Sequence, residues 1–259
     1  MAVREVAGPG DIRGNVSEAE WEARVDLAAA YRLVAHVHGS DLTYNHLTVR
    51  VPDEPGHMLI KPFNEMFEEV TASSLVKYDF EGNPADGNGR PLFGGGKVIH
   101  GGVYQARPDV NAAFHTHTPA VMGICSQKQG LLPINQYSIS LWHDLAYHAF
   151  HGFEFNVELR EPLFADMGDK NIVLMHNHGA LVCGASVGAA FVSHHFLDLA
   201  CQGQLAAMTG GAELIRPDPE KLEYALAQIK ERQAELPPED KDWAACLRMA
   251  HRVAPGFDT

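Results

Sequence analysis

The chain has 259 residues, of which 46% are hydrophobic and 20% charged, the composition of an ordinary globular protein long enough for a sizeable core. Its formal net charge of −13 argues against nucleic acid or an anionic membrane as the main partner, because both require a basic face. The four cysteines lie far apart without a CxxC pair, so we expect reduced thiols and no structural zinc cluster of cysteines.

The apolar stretches of the chain are short, and they fall well below the roughly 20 residues that a membrane span needs. The N-terminal residues lack the apolar core of a signal peptide. We therefore expect a cytoplasmic protein. Histidine is the unusual component, with 15 residues, and neutral imidazole is the commonest metal ligand among side chains.

The N-terminal part of the chain is predicted to contain a flexible segment and then a helix. Residues 1–16 are rich in glycine, proline and charge. Ser17 followed by Glu20 is the pattern of a capping box, and apolar residues then recur at helical spacing. The first helix is expected to end at His38, because Gly39 follows it.

The middle of the chain alternates short apolar runs with turn residues, which predicts a sheet covered by helices. The predicted strands are 47–51, 57–60, 110–117 and 171–178, with a further helix-to-strand stretch at 71–79. Residues 82–96 hold six glycines and read as a loop ending in Gly94-Gly95-Gly96. A helix is predicted to follow from Lys97 to Arg107, because Pro108 would stop it.

The C-terminal half is predicted to be mainly helical. Thr118 and Pro119 have the pattern of an N-cap and a first helical position. Ser186 opens a long apolar helix that ends near Gly210, and Pro219 starts another. We divide the chain into the flexible segment 1–16, a metal-binding domain at 17–215 and a C-terminal helical tail at 216–259.

Two His-x-His pairs each close a predicted strand. His115 and His117 face the same side of their strand, with α-carbons about 7 Å apart, a gap that a metal ion bridges. His176 and His178 are expected to share a face in the same way. One such pair is weak support for a metal site, but two pairs at strand ends favour a catalytic site with three or four ligands.

The text between Tyr31 and Gly211 resembles the class II aldolase/adducin superfamily. The matching segments are YRLVAHVHGSDLTYNHLTVRV, EEVTASSLVKYDFEGN, VYQARPDVNAAFHTHTPA, GLLPINQYSISL, LAYHAFHGFEF and NHGALVCGASVGAAF. The segment from Thr71 to Lys77 is most similar to the adducin-like branch. The resemblance implies a three-layer αβα sandwich around a central, mostly antiparallel sheet, and a homo-oligomer, with a tetramer favoured and active sites near subunit contacts.

The resemblance also implies a ligand set. In metal-binding members, the His-Thr-His pair and the histidine of the Asn-His-Gly motif hold Zn²⁺ or another divalent ion. In this chain those residues are His115, His117 and His178, and we expect zinc, with manganese and iron as alternatives. His176 is outside the motif and is interpreted as structural.

The chain departs from the aldolases of this family at two segments. Those aldolases carry a Ser-Ser-Glu run whose glutamate moves the substrate proton, whereas this chain has Gly94-Gly95-Gly96 there. Their phosphate-binding Thr-Pro-Ser-Gly segment reads Lys61-Pro62-Phe63-Asn64, and the preceding Gly-Asn reads Asn45-His46. We therefore do not expect the usual cleavage of a sugar phosphate.

Two residues that follow the glycine run are candidates for the missing role. His100 is the candidate acid or base, because its reference pKa is near neutrality. Lys97 would bind a substrate carboxylate as a point charge. A solvent-exposed lysine and a packing histidine are the plainer alternatives, and the His/Tyr-rich segment at 137–148 is next in line.

Three functions remain open from the sequence. The first is a divalent-metal-dependent carbon–carbon lyase, of aldolase or decarboxylase type, acting on a small carbonyl or oxo-acid compound. The second is a non-haem iron oxygenase that uses the same three histidines, as in a related branch of the family. The third is a non-catalytic, adducin-like assembly module. The intact ligand set favours the first two.

Overall fold

A single seven-stranded sheet organises the chain in the computed structural model, which describes residues 12–39, 41–85, 92, 94–237 and 239–259. The strands are β1 His46–Arg50, β2 His57–Ile60, β3 Val76–Asp79, β4 Ala112–Thr116, β5 Leu145–His148, β6 Ile172–Met175 and β7 Ala180–Gly184. Their order is β3-β2-β1-β4-β7-β6-β5. The β5–β6 pair is parallel and the other pairs are antiparallel, which confirms the mostly antiparallel sheet.

Helices cover both faces of the sheet. They are α1 Glu18–His38, α2 Gly102–Ala106, α3 Pro119–Cys125, α4 Gln136–Leu141, α5 Arg160–Met167, α6 Val187–Met208, α7 Pro219–Glu235 and α8 Ala244–Val253. Successive strand residues point to opposite faces of the sheet and belong to two hydrophobic cores. Phe114 belongs to the core that contains residues of α1, α3, α4 and α6, whereas Ala113 belongs to the core that contains residues of α2 and α5. The predicted αβα sandwich is therefore confirmed. Among the described residues, no helix combines the length and the apolar character needed to cross a membrane.

The predicted N-cap of α1 is confirmed, but the Glu20 side chain has partners outside the predicted capping box. Ser17 accepts a hydrogen bond from the backbone N–H of Glu20 at 3.1 Å, as an N-cap should. The Glu20 carboxylate is buried and pairs with Arg24 at 2.8 Å and with Lys77 at 2.7 Å. The first turn of α1 is thereby joined to β3.

The glycine run is partly helical rather than wholly a loop. A π-helical turn, Gly96–Gly101, precedes α2, and Gly95 already has helical backbone angles. The helix thus begins one residue before the predicted Lys97. A β-carbon at Gly101 would overlap the carbonyl oxygen of Phe80, so only glycine allows this helix to approach β3 so closely.

The strand predicted at 171–178 is too long. Strand β6 ends at Met175, and a tight turn with Asn177 at φ 58° leads into β7. The backbone N–H of Met175 donates to the Gly179 carbonyl at 2.9 Å and closes the turn. The interpretation of His176 and His178 as residues of one strand face is therefore wrong.

The C-terminal segment returns to the main core. Trp243, Ala250 and Phe257 are buried with residues of α1 and α6, and Trp243 Nε1 donates to Asp26 Oδ1 at 3.2 Å. Helix α7, by contrast, has no buried residue. The boundary at 215 stays a prediction, and most of the segment 1–16 lies outside the described residues.

Candidate metal centre

Sheet topology brings three histidines to one edge. His115 lies near the end of β4, and His117 follows that strand by one residue. Because β4 pairs antiparallel with β7, the end of β4 lies beside the turn that precedes β7, and this turn carries His178. The ring centroids of His115, His117 and His178 are 4.8–4.9 Å apart. One ring nitrogen from each lies within 4.8 Å of the others.

The Nδ1 atoms of two of these rings already have partners. His115 Nδ1 lies 3.1 Å from the carbonyl oxygen of Ala180, and His117 Nδ1 lies 3.0 Å from Asp41 Oδ2. Both partners are acceptors only, so each Nδ1 must carry the proton. A neutral imidazole has one N–H, and therefore Nε2 of each ring presents a lone pair.

These two lone pairs face each other. His115 Nε2 and His117 Nε2 are 3.0 Å apart, a spacing that is repulsive unless a cation lies between or beside them. Around a tetrahedral zinc ion with Zn–N bonds of about 2.0–2.1 Å, neighbouring nitrogens are about 3.3 Å apart. The donor set therefore fits a divalent transition metal.

The electrostatics favour a metal ion over a proton. Burial lowers the pKa of His115 well below its usual value, and the neighbouring histidines His178 and His117 lower it further. Burial also lowers the pKa of His117, although Asp41 opposes that shift. Both imidazoles are neutral at physiological pH, which is the form that binds a metal ion.

A buried carboxylate that the sequence did not single out completes the cluster. Glu154 is 5% exposed, and its Oε2 lies 3.1 Å from His178 Nδ1. The contact has the distance of an ion pair but not the alignment of a hydrogen bond, and His178 Nδ1 is buried with no other partner. Glu154 stands in the aromatic segment 150–155, between β5 and α5, and an acid flanked by phenylalanines on both sides is the signal available in the sequence.

Comparison with known proteins settles the family. The sequence model of the Class II Aldolase and Adducin N-terminal domain matches residues 25–205. The chain belongs to the class II aldolase and adducin family. A Caulobacter vibrioides protein with the provisional name of an aldolase class 2 protein is 39% identical, over 95% of each chain. Mouse alpha-adducin is 40% identical over 85% of this chain, which spans only 31% of the adducin.

Solved structures show the same relationship. A crystal structure of an aldolase II superfamily protein from Pseudomonas syringae has a TM-score of 0.91 and 40% sequence identity, and it covers 96% of this chain and 100% of that one. An L-fuculose 1-phosphate aldolase from Glaciozyma antarctica is 24% identical with a TM-score of 0.78, covering 91% of this chain and 90% of that one, and it shares the fold. Class II aldolases generally use a divalent metal, and the three-histidine cluster of this chain suits one.

The glycine run of this chain leaves space for the His46 side chain. A β-carbon at Gly95 would lie 2.9 Å from His46 Nε2, so a side chain there would displace the His46 ring. His46 pairs in register with His115 across β1 and β4, and their rings stack with centroids 5.2 Å apart. In the sequence His46 stands out only as a departure from the family pattern, and the pairing of β1 with β4 is what places it beside the candidate ligand His115.

The hydrogen bonds of His100 connect it to the cluster through His46. It is fully buried, with Nε2 at 2.7 Å from His46 Nδ1 and Nδ1 at 2.6 Å from Thr48 Oγ1. Both ring nitrogens are therefore occupied, and burial lowers the pKa of His100 to about 3. Its role as acid or base stays a prediction, and any such role would pass through the His46 ring.

The two lysines near the replaced segments have different surroundings. Lys97 lies beside the turn at Gly82. Hydrogen bonds from Gln105 and Arg160 lower the pKa of Glu81 in this turn, and the charge of Lys97 adds to that shift. Lys61 is 4% exposed, and its Nζ donates to the carbonyl oxygens of Thr43 and Pro62 at 2.9 and 3.3 Å. Burial lowers the pKa of Lys61 to about 8. Burial lowers the pKa of His46 well below its usual value, and His100, His117 and the charge of Lys61 lower it further.

The remaining histidine and tyrosine candidates have partners outside the cluster. The His176 ring is 5.9 Å from Tyr147, and His148 Nδ1 lies 2.7 Å from Asp166 Oδ2. Tyr147 also donates to the Leu131 carbonyl. Tyr147, His148 and His176 thus have partners outside the cluster, and a role for the segment 137–148 in proton transfer stays a prediction. The candidate ligand set is His115, His117 and His178.

Proposed function

We propose that this chain is a divalent-metal-dependent carbon–carbon lyase, of aldolase or decarboxylase type, that acts on a small carbonyl or oxo-acid compound other than a sugar phosphate. The observation that carries the proposal is the pair of Nε2 lone pairs of His115 and His117, held 3.0 Å apart. Two lone pairs at this distance repel each other, and a bound cation would turn that repulsion into attraction.

The roles of the residues follow from their contacts. His115, His117 and His178 would hold the ion through Nε2, and zinc is the expected metal, with manganese and iron as alternatives. When bound, the ion would polarise a substrate carbonyl and stabilise the enolate that cleavage leaves. Asp41 and the Ala180 carbonyl keep the proton on Nδ1 of their histidines and thus the lone pair on Nε2.

Lys61 supports an oxo-acid rather than a phosphosugar. An ammonium group has three N–H donors, and two of them are used by Thr43 and Pro62. Nζ also lies 5.8 Å from the centroid of the Phe67 ring, and its third N–H would bind one carboxylate oxygen of the substrate. Because Lys61-Pro62-Phe63-Asn64 stands where the family has its phosphate-binding segment, this end of the site would recognise a carboxylate in place of a phosphate.

Two alternative functions use the same fold. The 40% identity with mouse alpha-adducin favours a non-catalytic assembly module. A non-haem iron oxygenase on the same three histidines is the third possibility, and bound iron would be its mark. The intact histidine set and the forced lone-pair geometry favour the lyase over the module.

Enzyme assays test the proposal directly. We expect the zinc- or manganese-loaded protein to release carbon dioxide or an aldehyde from members of a panel of hydroxylated 2-oxo acids, and to do so only with His117 intact. His176→Ala is the matched control and should retain activity.

We expect no cleavage of fuculose-, ribulose- or rhamnulose-phosphate above background, and efficient turnover of any of them would overturn the substrate assignment. Inactivity of the metal-loaded protein on the whole panel would favour the assembly module.

The quaternary structure and the location of the protein belong to the same proposal. A homo-oligomer, with a tetramer favoured, and a cytoplasmic location are expected from the family resemblance. Exposed aromatic residues beside the Glu154 segment supply apolar surface for contacts between subunits, with Phe153 64% and Phe155 69% exposed. Sedimentation at micromolar concentration would measure the oligomeric state, and a monomer would refute that part.

A further inference from the structure

We propose that Glu154 is a positioning residue of the metal centre, whose carboxylate accepts the Nδ1 proton of His178 and keeps Nε2 of that ring directed at the ion. The inference rests on the proposed metal centre and deepens it. It assigns a role to a carboxylate that lies outside the glycine run where the family has its glutamate.

The burial of Glu154 calls for a reason. A carboxylate that is 5% exposed loses most of its hydration, which is costly unless a donor or a positive charge compensates. The contact that the structure shows is His178 Nδ1 at 3.1 Å. That nitrogen is itself buried without a hydrogen-bond partner. A hydrogen bond from His178 Nδ1 to the Glu154 carboxylate would therefore satisfy both groups.

The same atom is supported in the other two histidines. His117 Nδ1 faces Asp41 Oδ2 at 3.0 Å, and His115 Nδ1 faces the Ala180 carbonyl at 3.1 Å. With Glu154 on His178 Nδ1, all three rings would have an acceptor on Nδ1 and a lone pair on Nε2. Acceptors of this kind fix the ring orientation and raise the basicity of the ligand nitrogen.

The geometry assigns Glu154 a supporting position rather than that of a fourth ligand. Its carboxylate meets His178 at Nδ1, whereas the ion would be bound through Nε2 of the same ring. Among the described residues, the group whose ligand atoms lie within 4.8 Å of one another contains three histidines and no carboxylate. The open position of the ion is thus left for substrate.

A competition titration of Zn²⁺ against a chromophoric chelator tests the assignment. We expect Glu154→Gln, which keeps an acceptor oxygen but loses the charge, to weaken zinc binding about tenfold, and Glu154→Ala about 10- to 100-fold. The stoichiometry should not change. Glu158→Gln is the matched control, because Glu158 is an exposed residue just beyond the same segment, and it should bind zinc as the wild type does.

Two further readouts separate positioning from other roles. The thermal unfolding of the metal-free Glu154→Gln protein should match the wild type, and the visible spectrum of its cobalt-loaded form should retain the wild-type band intensities, which report coordination number. A changed cobalt spectrum would make Glu154 a ligand and overturn the assignment.

The outcomes also separate this inference from the proposed function. If the wild type binds zinc and both Glu154 variants bind it as tightly as Glu158→Gln, the positioning role is refuted and the metal centre stands. If the wild type binds no zinc, the metal centre and this inference fall together. Because Glu154→Gln is isosteric, it remains a test even if Glu154→Ala does not fold.

Discussion

At the scale of single residues, the chain pairs histidines with carboxylates more than once. His38 Nδ1 lies 3.0 Å from Asp198 Oδ2, and both side chains are almost fully buried. This pair joins the end of α1 to α6. Asp41, which contacts His117, follows His38 by three residues.

The stability of the protein should depend on Asp198 in a pH-dependent way. Burial would raise the pKa of Asp198, but hydrogen bonds with His38, Thr118 and Gln202, together with the electrostatic interaction with His38, outweigh that effect and lower the pKa to about 2, from 3.8. A depressed pKa in the folded state means that the ionised carboxylate stabilises the fold above about pH 4, by about 2 kcal/mol, and that this contribution is lost as the pH falls towards 2.

Asp198→Asn tests this dependence. Urea unfolding at pH 7 should show the variant to be about 2 kcal/mol less stable than the wild type. The difference should shrink progressively between about pH 4 and 2. A difference that is the same at pH 7 and at the acid end would show that the carboxylate charge is not the source of the stabilisation.

The sequence predicts the ligand set better than it predicts the residues that support the ligands. His115 and His117 are two positions apart on a strand, so local periodicity finds them. Asp41 and His117 are 76 positions apart, and His46 meets His115 only through the pairing of β1 with β4. Such contacts depend on strand order and on loop paths, which no local pattern encodes.

At the scale of elements, periodicity predicts the regular parts and misses the irregular ones. Helices α1 and α6 follow the predicted bounds, because both have a serine N-cap and sustained apolar spacing. Strand β6 ends before the predicted residue, since Asn177 adopts the left-handed conformation and reverses the chain. The sequence did not predict α4, β5, α5 or β7, because the segment 136–167 lacks a clear period and β7 was hidden behind the overlong strand.

The C-terminal element should contribute to the stability of the main core. Trp243 is 6% exposed, and its ring centroid lies 5.3 Å from that of Phe191 on α6. A β-carbon at Gly188 would lie 2.6 Å from the Trp243 ring, which shows how closely α6 and this segment pack. Truncation of a buried tryptophan leaves a cavity as well as removing apolar contact.

We therefore expect Trp243→Ala to cost about 3–5 kcal/mol in the free energy of unfolding, measured by urea denaturation. Tyr224→Ala is the matched control on α7, where Tyr224 is 63% exposed, and its effect should stay within about 0.5 kcal/mol. Equal small effects of the two substitutions would mean that residues 239–259 form a separate tail, as the predicted boundary at 215 implies.

At the scale of the whole molecule, the fold class came from the family resemblance, and the strand order came from the structure. Many sheet orders are compatible with the predicted strands, and the observed antiparallel pairing of β4 with β7 brings the end of β4 beside the turn before β7. That juxtaposition adds His178 to the His-Thr-His pair, and the metal centre is therefore a property of the complete sheet rather than of any segment.

Elemental analysis of the protein, purified without chelators or a metal-binding tag, tests this account most directly. The account predicts about one divalent transition-metal ion per chain, with zinc or manganese marking the lyase and iron the oxygenase. His117→Ala should lose the ion while His176→Ala retains it. A wild-type protein that is folded and stays metal-free even after incubation with excess Zn²⁺ would contradict the central claim that the three histidines form a metal centre.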